Sequence, residues 1–409
     1  MKWLLNIFRW ILNVFRELLY MLGWIKPDKE DLFEGNRCKF FARDIVLNQI
    51  KPLDGEGISY TSEESVHAVV IGCDELSLYI ARQIALVCHY PNFNDAVGKY
   101  RTVITIVHPS AANLDDVKAL KREFESVTGN LLKEAIWCCK YYYQNGNATE
   151  WAEGSKTVSF IDVRFEFVGV DDIKQLHNYI APDNSNAKVS VIDNSGLNAN
   201  TSLKNGVYQY YAVPEGVREG KVADFGIDIR RAQMVSMVYE MGTCLNSICV
   251  SDMFEVEEYR NLVDILCARA TRLAICRKWN KMSTDINGKL SNLFCADCIA
   301  SKLRSIKNSS WSSYGMLESL ARSEHARWNV EKLTLGFRVY TAEESYRYER
   351  LFADAAALRR ERARLKGEKA HIDLCSCDDL MRIDPSSFKY DCLLVMAAES
   401  IAERVKDDK

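Results

Sequence analysis

The chain has 409 residues, of which 48% are hydrophobic and 27% are charged. A chain of this length and composition can bury the cores of two or three globular domains. Its formal net charge of −3 provides no global field that would attract nucleic acid, so we expect no nucleic-acid partner.

Fourteen cysteines are spread along the chain, many in apolar segments, which is typical of reduced, buried thiols rather than of a disulfide framework. The nearest approach to a metal motif is Cys295-Ala-Asp-Cys298, with Cys375-Ser-Cys377 far downstream. A structural zinc site requires two such pairs at compact spacing, or histidines nearby. We therefore predict no metal site, and we expect the bulk of the chain to be cytoplasmic.

Residues 1–26 predict a membrane-associated helix. Polar residues recur on one helical stripe between large apolar residues, at Lys2, Asn6, Arg9, Asn13 and Arg16. The arginines interrupt any signal-peptide core, and a lipid-facing arginine at mid-bilayer costs about 2.5–3.5 kcal/mol. The segment is therefore expected to be an interfacial amphipathic helix, or a transmembrane helix of an oligomer with its polar stripe inward. Packing on the protein's own core is the alternative.

Residues 27–61 have the composition of a linker, with Lys51-Pro-Leu-Asp-Gly-Glu-Gly57 at its centre. Over residues 62–250 the pattern alternates between strands and helices. Strands are predicted at 67–71, 101–108, 157–168 and 188–193, and helices at 78–88 and 114–143. Alternation of this kind predicts an α/β fold with a doubly wound parallel sheet and helices on both faces.

The segment VVIGCDELSLYIARQIA, residues 69–85, resembles the first βα unit of TrkA-N-type Rossmann domains. The dinucleotide fingerprint of such a unit needs glycines that let the backbone approach pyrophosphate. Here only Gly72 is present, because Asp74 and Ser77 occupy the second and third glycine positions. A carboxylate at the phosphate turn would repel a dinucleotide. The second predicted strand also ends in His108, where NAD binders usually carry an acid. The resemblance implies a degenerate Rossmann-like scaffold.

Two further segments follow within and after this region. Asp193 begins an Asp-Asn-Ser-Gly sequence after a predicted strand, at the edge where doubly wound sheets bind ligands. The same four residues also fit an ordinary turn. Residues 251–308 repeat apolar residues three and four apart, which predicts a helical connector to the next domain.

The strongest pattern begins at Leu320-Ala-Arg-Ser-Glu-His-Ala-Arg-Trp328, on a predicted helix whose C-terminus Gly336 caps. Residues 309–409 resemble the ryanodine-receptor repeat (RyR) domain family. Members open with a helix that carries a His and a Trp three residues later, followed by a Gly-aromatic turn. A second half carries a His/Asn-x-x-Leu stretch and a late basic helix start. The positions that fit are His325, Trp328, Gly336, Phe337, His371, Leu374, Lys389 and Asp391.

The RyR resemblance implies a mainly α-helical domain that binds a nucleotide-derived ligand. His325 and Trp328 would stack on a base or hydrogen-bond to it, and Arg327 and Arg338 would contact phosphate. The other candidate ligand contacts at matching positions are His371, Lys389 and Asp391. The alternative is that the His and Trp are core residues. The basic run between residues 347 and 369 is interpreted as a solvated helix face, and the alternative is a contact with anionic headgroups or with a partner's acids.

No G-x-S-x-G, Walker A or H-E-x-x-H motif occurs, so we predict no catalytic residue and no enzyme. RyR domains joined to TrkA-N-like and membrane segments resemble components of nucleotide-centred bacterial defence systems. The first hypothesis is thus a homo-oligomeric membrane effector that senses a nucleotide-like small molecule. The TrkA-N resemblance also allows a regulatory subunit of an ion transporter. A third hypothesis is an NAD(P)-dependent oxidoreductase, which the missing glycines disfavour.

Overall fold

A computed structural model provides the fold of the chain, and the residues that it describes run from 29 to 407 with gaps. They are 29–94, 98–142, 149–153, 158–173, 176, 186–197, 207–219, 227–244, 257–270, 272–282, 285–307 and 314–407. The predicted membrane helix, residues 1–26, lies outside the described residues. Among the helices that are described, none combines the length and apolarity needed to cross a bilayer.

The centre of the α/β region is a seven-stranded sheet. Its strands are β2 (Ser65–Ile71), β3 (Thr102–His108), β4 (Ile136–Tyr142), β5 (Thr149–Glu153), β6 (Val163–Val170), β7 (Ala187–Asp193) and β8 (Val207–Ala212), and a two-stranded sheet pairs β1 (Lys29–Glu30) with β9 (Ile227–Asp228). The order of the large sheet is β5-β4-β6-β3-β2-β7-β8. Six strands are parallel, and β5 is antiparallel at one edge. The predicted parallel α/β sheet is confirmed.

Helices cover the sheet and continue to the C-terminus. They are α1 (Arg37–Asp44), α2 (Glu75–Val87), α3 (Leu114–Thr128), α4 (Leu131–Glu134), α5 (Glu215–Arg218), α6 (Arg230–Cys244), α7 (Glu257–Arg269), α8 (Arg272–Lys281), α9 (Ile286–Lys307), α10 (Tyr314–Thr334), α11 (Ala342–Arg350), α12 (Ala355–Gly367), α13 (Cys377–Ile383), α14 (Pro385–Met396) and α15 (Ala398–Asp407). The predicted helical C-terminal region and the helical character of 251–308 agree with this order.

One predicted helix is half wrong. The pattern over 114–143 predicts a single helix, but α3 ends at Thr128, and Gly129 follows with a positive φ of 61°. The chain then forms the short α4 and the strand β4, which pairs with β6. Tryptophan, tyrosine and isoleucine in β4 favour a strand, because they pack well on a pleated surface. The sequence marks the end of the helix with Gly129-Asn130, a stop signal that the prediction of a single helix passed over.

The predicted linker over 27–61 is also wrong, because residues 29–61, the part of it that the structure describes, fold onto the rest of the protein. Helix α1 begins at its cap Asn36, whose side chain accepts a hydrogen bond from the Lys39 backbone, and Phe41 is buried in the main core. Arg43 pairs with Asp297 of α9 at 2.6 Å. The Pro- and Gly-containing loop that follows dominates the composition of the segment and hides this helix.

Helix α2 shows why the two predicted domains are in close contact. Twelve of its 13 residues are buried, which is typical of a helix enclosed on all sides. One side packs on β2 and β3, and α9 and α10 pack against it as well. A single apolar core runs from Phe41 through the sheet to Ile401.

Helix α10 carries the strongest sequence pattern and ends as that pattern predicts. Gly336 has φ of 84°, its N–H donates to Leu333 O at 3.0 Å, and the Phe337 N–H donates to Lys332 O at 2.9 Å. This pair of bonds is the Schellman arrangement, in which a left-handed glycine satisfies the last helical carbonyls. The turn directs the chain away from α10 towards α11 and α12.

Candidate functional site

The Rossmann-like turn between β2 and α2 contains its own anion. The Asp74 carboxylate accepts hydrogen bonds from the Ser77 N–H at 2.9 Å, the Ser77 hydroxyl at 2.7 Å and the Asn194 amide at 2.8 Å. Gly72 has φ of 140°, and a Cβ there would lie 2.2 Å from Ser77 Oγ. The N-terminus of α2, where a Rossmann turn binds pyrophosphate, is therefore occupied by the chain's own carboxylate.

The other two candidates at this sheet edge also have local partners. Asp193 accepts hydrogen bonds from the Ser195 N–H at 2.9 Å and the Tyr210 hydroxyl at 2.5 Å. His108 ends β3, and the Ser110 N–H approaches its Nδ1 at 3.4 Å. These contacts are those of strand-terminating turns. They do not bring His108 and Asp193 together into one site.

Four of the candidate residues in the C-terminal helices line one cleft of about 660 Å³. They are His325, Trp328, His371 and Asp391. The cleft, which we call the basic cleft, also contains side chains that were not predicted to contact a ligand: Lys332, Phe337, Arg359, Arg362, Lys366, Asp373, Asp384, Ser386, Ser387 and Tyr390. Its volume lies within the usual range of small-molecule sites, roughly 300–1,000 Å³.

Cationic side chains from two helices face this cleft. Arg359, Arg362 and Lys366 lie three and four residues apart on α12, a spacing that places them on one helical face. Arg362 is held by Asp373 and Asp384, each at 2.6 Å. Arg359 and Lys366 are exposed, and neither forms an ion pair with a described residue. These three residues belong to the basic run that was interpreted from the sequence as a solvated face. In the structure they line the cleft.

Aromatic rings form the wall opposite α12. The Trp328 ring lies 4.9 Å from the His371 ring in an edge-on arrangement and 5.9 Å from the His325 ring in a nearly parallel one. The Lys332 ammonium lies 5.6 Å from the Trp328 ring centroid and 5.8 Å from that of Phe337. Such contacts attract a cation to the ring faces. The cleft therefore places positive charge directly beside aromatic surface.

His325 is held in place by both of its ring nitrogens. Nδ1 lies 3.4 Å from Asp391 Oδ2, and Nε2 lies 3.1 Å from Cys375 O. Burial raises the pKa of Asp391 to about 6, against the opposing effect of His325. Because both nitrogens have internal partners, His325 contributes to the cleft through its ring, which supports Trp328, and not through a free nitrogen.

His371 is a neutral ring at the edge of the cleft. Burial, together with Arg362, Lys366 and Lys332, lowers its pKa to about 3. The Asp373 N–H approaches Nδ1 at 3.3 Å, which assigns the proton of the neutral ring to Nε2. Burial is the main cause of the lowered pKa, and Asp384 opposes the effect of the three cations.

Arg327 does not reach the cleft, which contradicts its predicted contact with phosphate. The side chain is fully buried, Nε donates to Glu324 at 2.8 Å, and Nη1 donates to Glu331 at 2.5 Å. Glu324 also pairs with Lys302 at 2.7 Å, and Glu331 with Lys332 at 2.8 Å. We call these five residues the buried ion-pair chain. The spacing of acids three residues before and four after Arg327 was a signal for such pairing.

Two other predicted ligand contacts also lie away from the cleft. Arg338 forms a two-point ion pair with Glu344, at 2.7 and 2.8 Å, and this hydrogen bonding lowers the pKa of Glu344 to about 2. Lys389 is buried within α14 and does not line the cleft. Arg338 and Lys389 therefore have structural roles. The cations of α12 line the cleft instead of them.

The cysteine pairs do not form a metal centre in the described part of the chain. Among those residues, no three His, Cys, Asp or Glu side chains are grouped so that they could hold a metal ion. Cys298 is buried on α9, its thiol lies 3.3 Å from Leu86 O, and burial raises its pKa to about 12. Cys298 therefore packs as a neutral thiol between α9 and α2.

We compared the chain with protein-family models, with curated proteins and with solved structures, and found no match in any of the three comparisons.

Trp328 gives a first test of whether this surface is a cleft wall or part of the core. We expect Trp328→Ala to lower the free energy of unfolding by less than the roughly 3–5 kcal/mol lost when a fully buried tryptophan is truncated. Trp279→Ala is the matched control, because Trp279 is 1% exposed, and it should show that full loss. Urea unfolding of the two variants measures the difference. Equal losses would assign Trp328 to the core.

Proposed function

We propose that this protein is a membrane-attached cytoplasmic sensor that binds a nucleotide-derived anion in the basic cleft. The observation that carries the proposal is the juxtaposition of the exposed cations Arg359 and Lys366 with the ring cluster around Trp328. A nucleotide has the two complementary parts, a phosphate that binds cations and a base that packs on aromatic surface. The RyR resemblance supports the same class of ligand.

The buried ion-pair chain adds to the attraction of the cleft for anions. It contains three cations (Lys302, Arg327 and Lys332) and two carboxylates (Glu324 and Glu331), a net charge of +1. Lys332 is the member of this chain that faces the cleft. Because charges in a protein interior are screened less than charges in water, this net charge contributes to the potential at the cleft.

Binding without catalysis fits the arrangement of the two serines of α14 that line the cleft. Ser386 and Ser387 donate hydrogen bonds to Asp384, the Ser387 bond being 3.0 Å long, and neither is placed against a histidine base. His371 is neutral but is held through Nδ1, and His325 has partners at both nitrogens. A nucleophile activated by a general base would need a different arrangement.

The two alternative functions have less support. Asp74 fills the phosphate position of the Rossmann-like turn, and an NAD(P)-dependent oxidoreductase would need that position free for a dinucleotide. A regulatory subunit of an ion transporter would share the parallel sheet, but the described residues offer no specific observation in its favour. The sheet is better interpreted as the scaffold against which the C-terminal helices pack.

Ligand binding can be tested directly with the full-length protein in detergent micelles. Native mass spectrometry against a panel of nucleosides, nucleotides and cyclic dinucleotides should show binding of phosphate-bearing members. The corresponding nucleosides, which lack the anion, should bind much more weakly. If no phosphate-bearing member binds with a Kd below about 1 mM, which is about −4 kcal/mol, the proposed function is wrong.

The membrane part of the proposal concerns residues 1–26. We expect their deletion to release the protein into the soluble fraction with the remainder folded. The cut leaves β1 intact, and β1 pairs with β9 at Lys29 and Glu30. Membrane fractionation compares the truncated and complete chains, and circular dichroism melting checks the fold. A truncated protein that still pellets with membranes would show that the anchor lies elsewhere.

A further inference from the structure

One wall of the basic cleft is a helical hairpin that has a narrow base. We define the hairpin as residues 338–371, which include α11 and α12. Its two ends are joined by hydrogen bonds, from the Arg338 N–H to Lys369 O at 2.8 Å and from the His371 N–H to Arg338 O at 3.0 Å. The chain enters just after Gly336 and leaves through Lys369, which has a positive φ of 55°. The hairpin is therefore a unit closed at its base.

The two helices of the hairpin pack apart from the main core, which the hairpin meets through the half-buried Val339 near its base. Its buried residues Tyr340, Tyr348, Leu365 and Ala370 form a small separate cluster with Ile372, and Ile383 of α13 packs against that cluster. Among the described residues, no side chain of α11 or α12 belongs to the large core that joins the sheet and the other helices. Segments with few buried apolar contacts open locally at a lower cost than the core does.

Arg362 links the hairpin to the rest of the protein. It extends from α12 to Asp373, which follows the base of the hairpin, and to Asp384 at the start of α14, each at 2.6 Å. The other ion pairs of α12 stay within the hairpin, because Arg364 pairs with Glu361 and Glu368. Opening the hairpin would thus separate Arg362 from its two acids and leave the Arg364 pairs intact.

We propose that the hairpin is a hinged flap over the basic cleft, that Arg362 is its latch, and that an anionic phosphate ligand holds it closed. The closing by a ligand rests on the proposed function, whereas the hinge and the latch rest on the packing alone.

The charges explain why an anion would favour closure. Arg359 and Lys366 belong to the flap, and Lys332 belongs to α10 on the body of the protein, so closure brings these three cations to one cleft, beside the pairs that Arg362 forms with Asp373 and Asp384. A phosphate between the three cations converts their mutual repulsion into attraction on both sides. Because such a ligand makes these contacts only in the closed state, it shifts the population towards that state.

Hydrogen–deuterium exchange of the full-length protein in detergent micelles tests the hinge. Peptides from 342–367 should exchange together and faster than peptides from 314–334 in α10. Arg362→Gln should raise exchange in the hairpin at least about tenfold, because two charge-assisted contacts are lost, without changing α10. Arg364→Gln is the matched control and should leave the difference in exchange rate between the hairpin and α10 unchanged. A hairpin that exchanges at the rate of α10, or a latch variant that accelerates both, overturns the flap.

Inorganic pyrophosphate is the probe for closure. At millimolar concentration it should slow exchange of the hairpin in the wild type and have no effect in Arg359→Glu/Lys366→Glu. If the hairpin opens as a unit but pyrophosphate does not slow it, closure by an anion is wrong while the hinge stands. If phosphate-bearing nucleotides bind but the hairpin exchanges its amide hydrogens at the same rate as α10, the flap is wrong while the proposed function stands.

Discussion

Replacing Glu324 by glutamine is expected to lower the free energy of unfolding by about 3–5 kcal/mol, the usual result of removing one partner from a buried ion pair. Glu324 is fully buried and lies between Lys302 and Arg327. Once residue 324 is uncharged, Lys302 keeps no described carboxylate partner. The buried ion-pair chain then carries three cations against the single carboxylate of Glu331. Chemical denaturation of the variant measures the loss.

A second substitution distinguishes the lost charge from a lost contact. In Glu324→Gln/Lys302→Met the unpaired ammonium is removed as well, and we expect part of the stability to return, because the remaining members are still paired. Glu343→Gln is the surface control, since Glu343 is 82% exposed and, among the described residues, pairs only with the exposed Arg347; its loss should stay below about 1 kcal/mol. A double variant no more stable than the single one would contradict the charge argument.

The buried ion-pair chain makes the free energy of unfolding depend on pH, and the pKa shifts of its two glutamates give the direction. Burial pushes the pKa of Glu324 upward, but Arg327 and Lys302 hold it below the ordinary glutamate value of 4.5, and Lys332 and Arg327 do the same for Glu331. The unfolded state therefore binds protons at higher pH than the folded state does. The stabilisation is complete above pH 4.5 and is lost as the pH falls through the lower folded-state values.

Local patterns were enough to predict the parallel sheet and α10. The first βα unit and the glycine-capped end of α10 each combine a clear hydrophobic period with specific turn residues. In each of them the period and the turn residues lie within a few residues of each other. β4 was missed because the Gly129-Asn130 break before it was not taken as the end of the predicted helix. Its strand character depends on pairing with β6, which is a contact between distant parts of the sequence.

The predicted ligand contacts line the basic cleft only where a side chain of suitable chemistry also faces it. His325, Trp328, His371 and Asp391 were selected on the RyR pattern and do come together in the basic cleft. Arg327 was assigned to a ligand because a guanidinium can bind phosphate. Its burial depends on Lys302 in α9, outside the region that was compared with the RyR family, and on the two glutamates of α10. No pattern within one helix shows which face its neighbours will cover.

The cations of α12 lead to the prediction that most directly tests the proposed function. Arg359→Glu/Lys366→Glu should weaken binding of a nucleoside diphosphate such as ADP by at least about 100-fold. Each charged contact contributes about 1.5–3 kcal/mol, and two are reversed. Because both side chains are exposed and form no ion pair with a described residue, the melting temperature should hardly change. Isothermal titration calorimetry measures the affinity, and it should also fall with added salt in the wild type.

The matched control changes the net charge by the same amount on the same hairpin. Arg350→Glu/Arg360→Glu alters two exposed arginines, neither of which lines the basic cleft. If ADP binds through contacts in the cleft, this control should keep its affinity within a few-fold of the wild type, because charges on the solvent side are screened over about 8–10 Å. If both double variants lose binding equally, the effect comes from the overall charge of the hairpin. In that case Arg359 and Lys366 are not the residues that hold the phosphate.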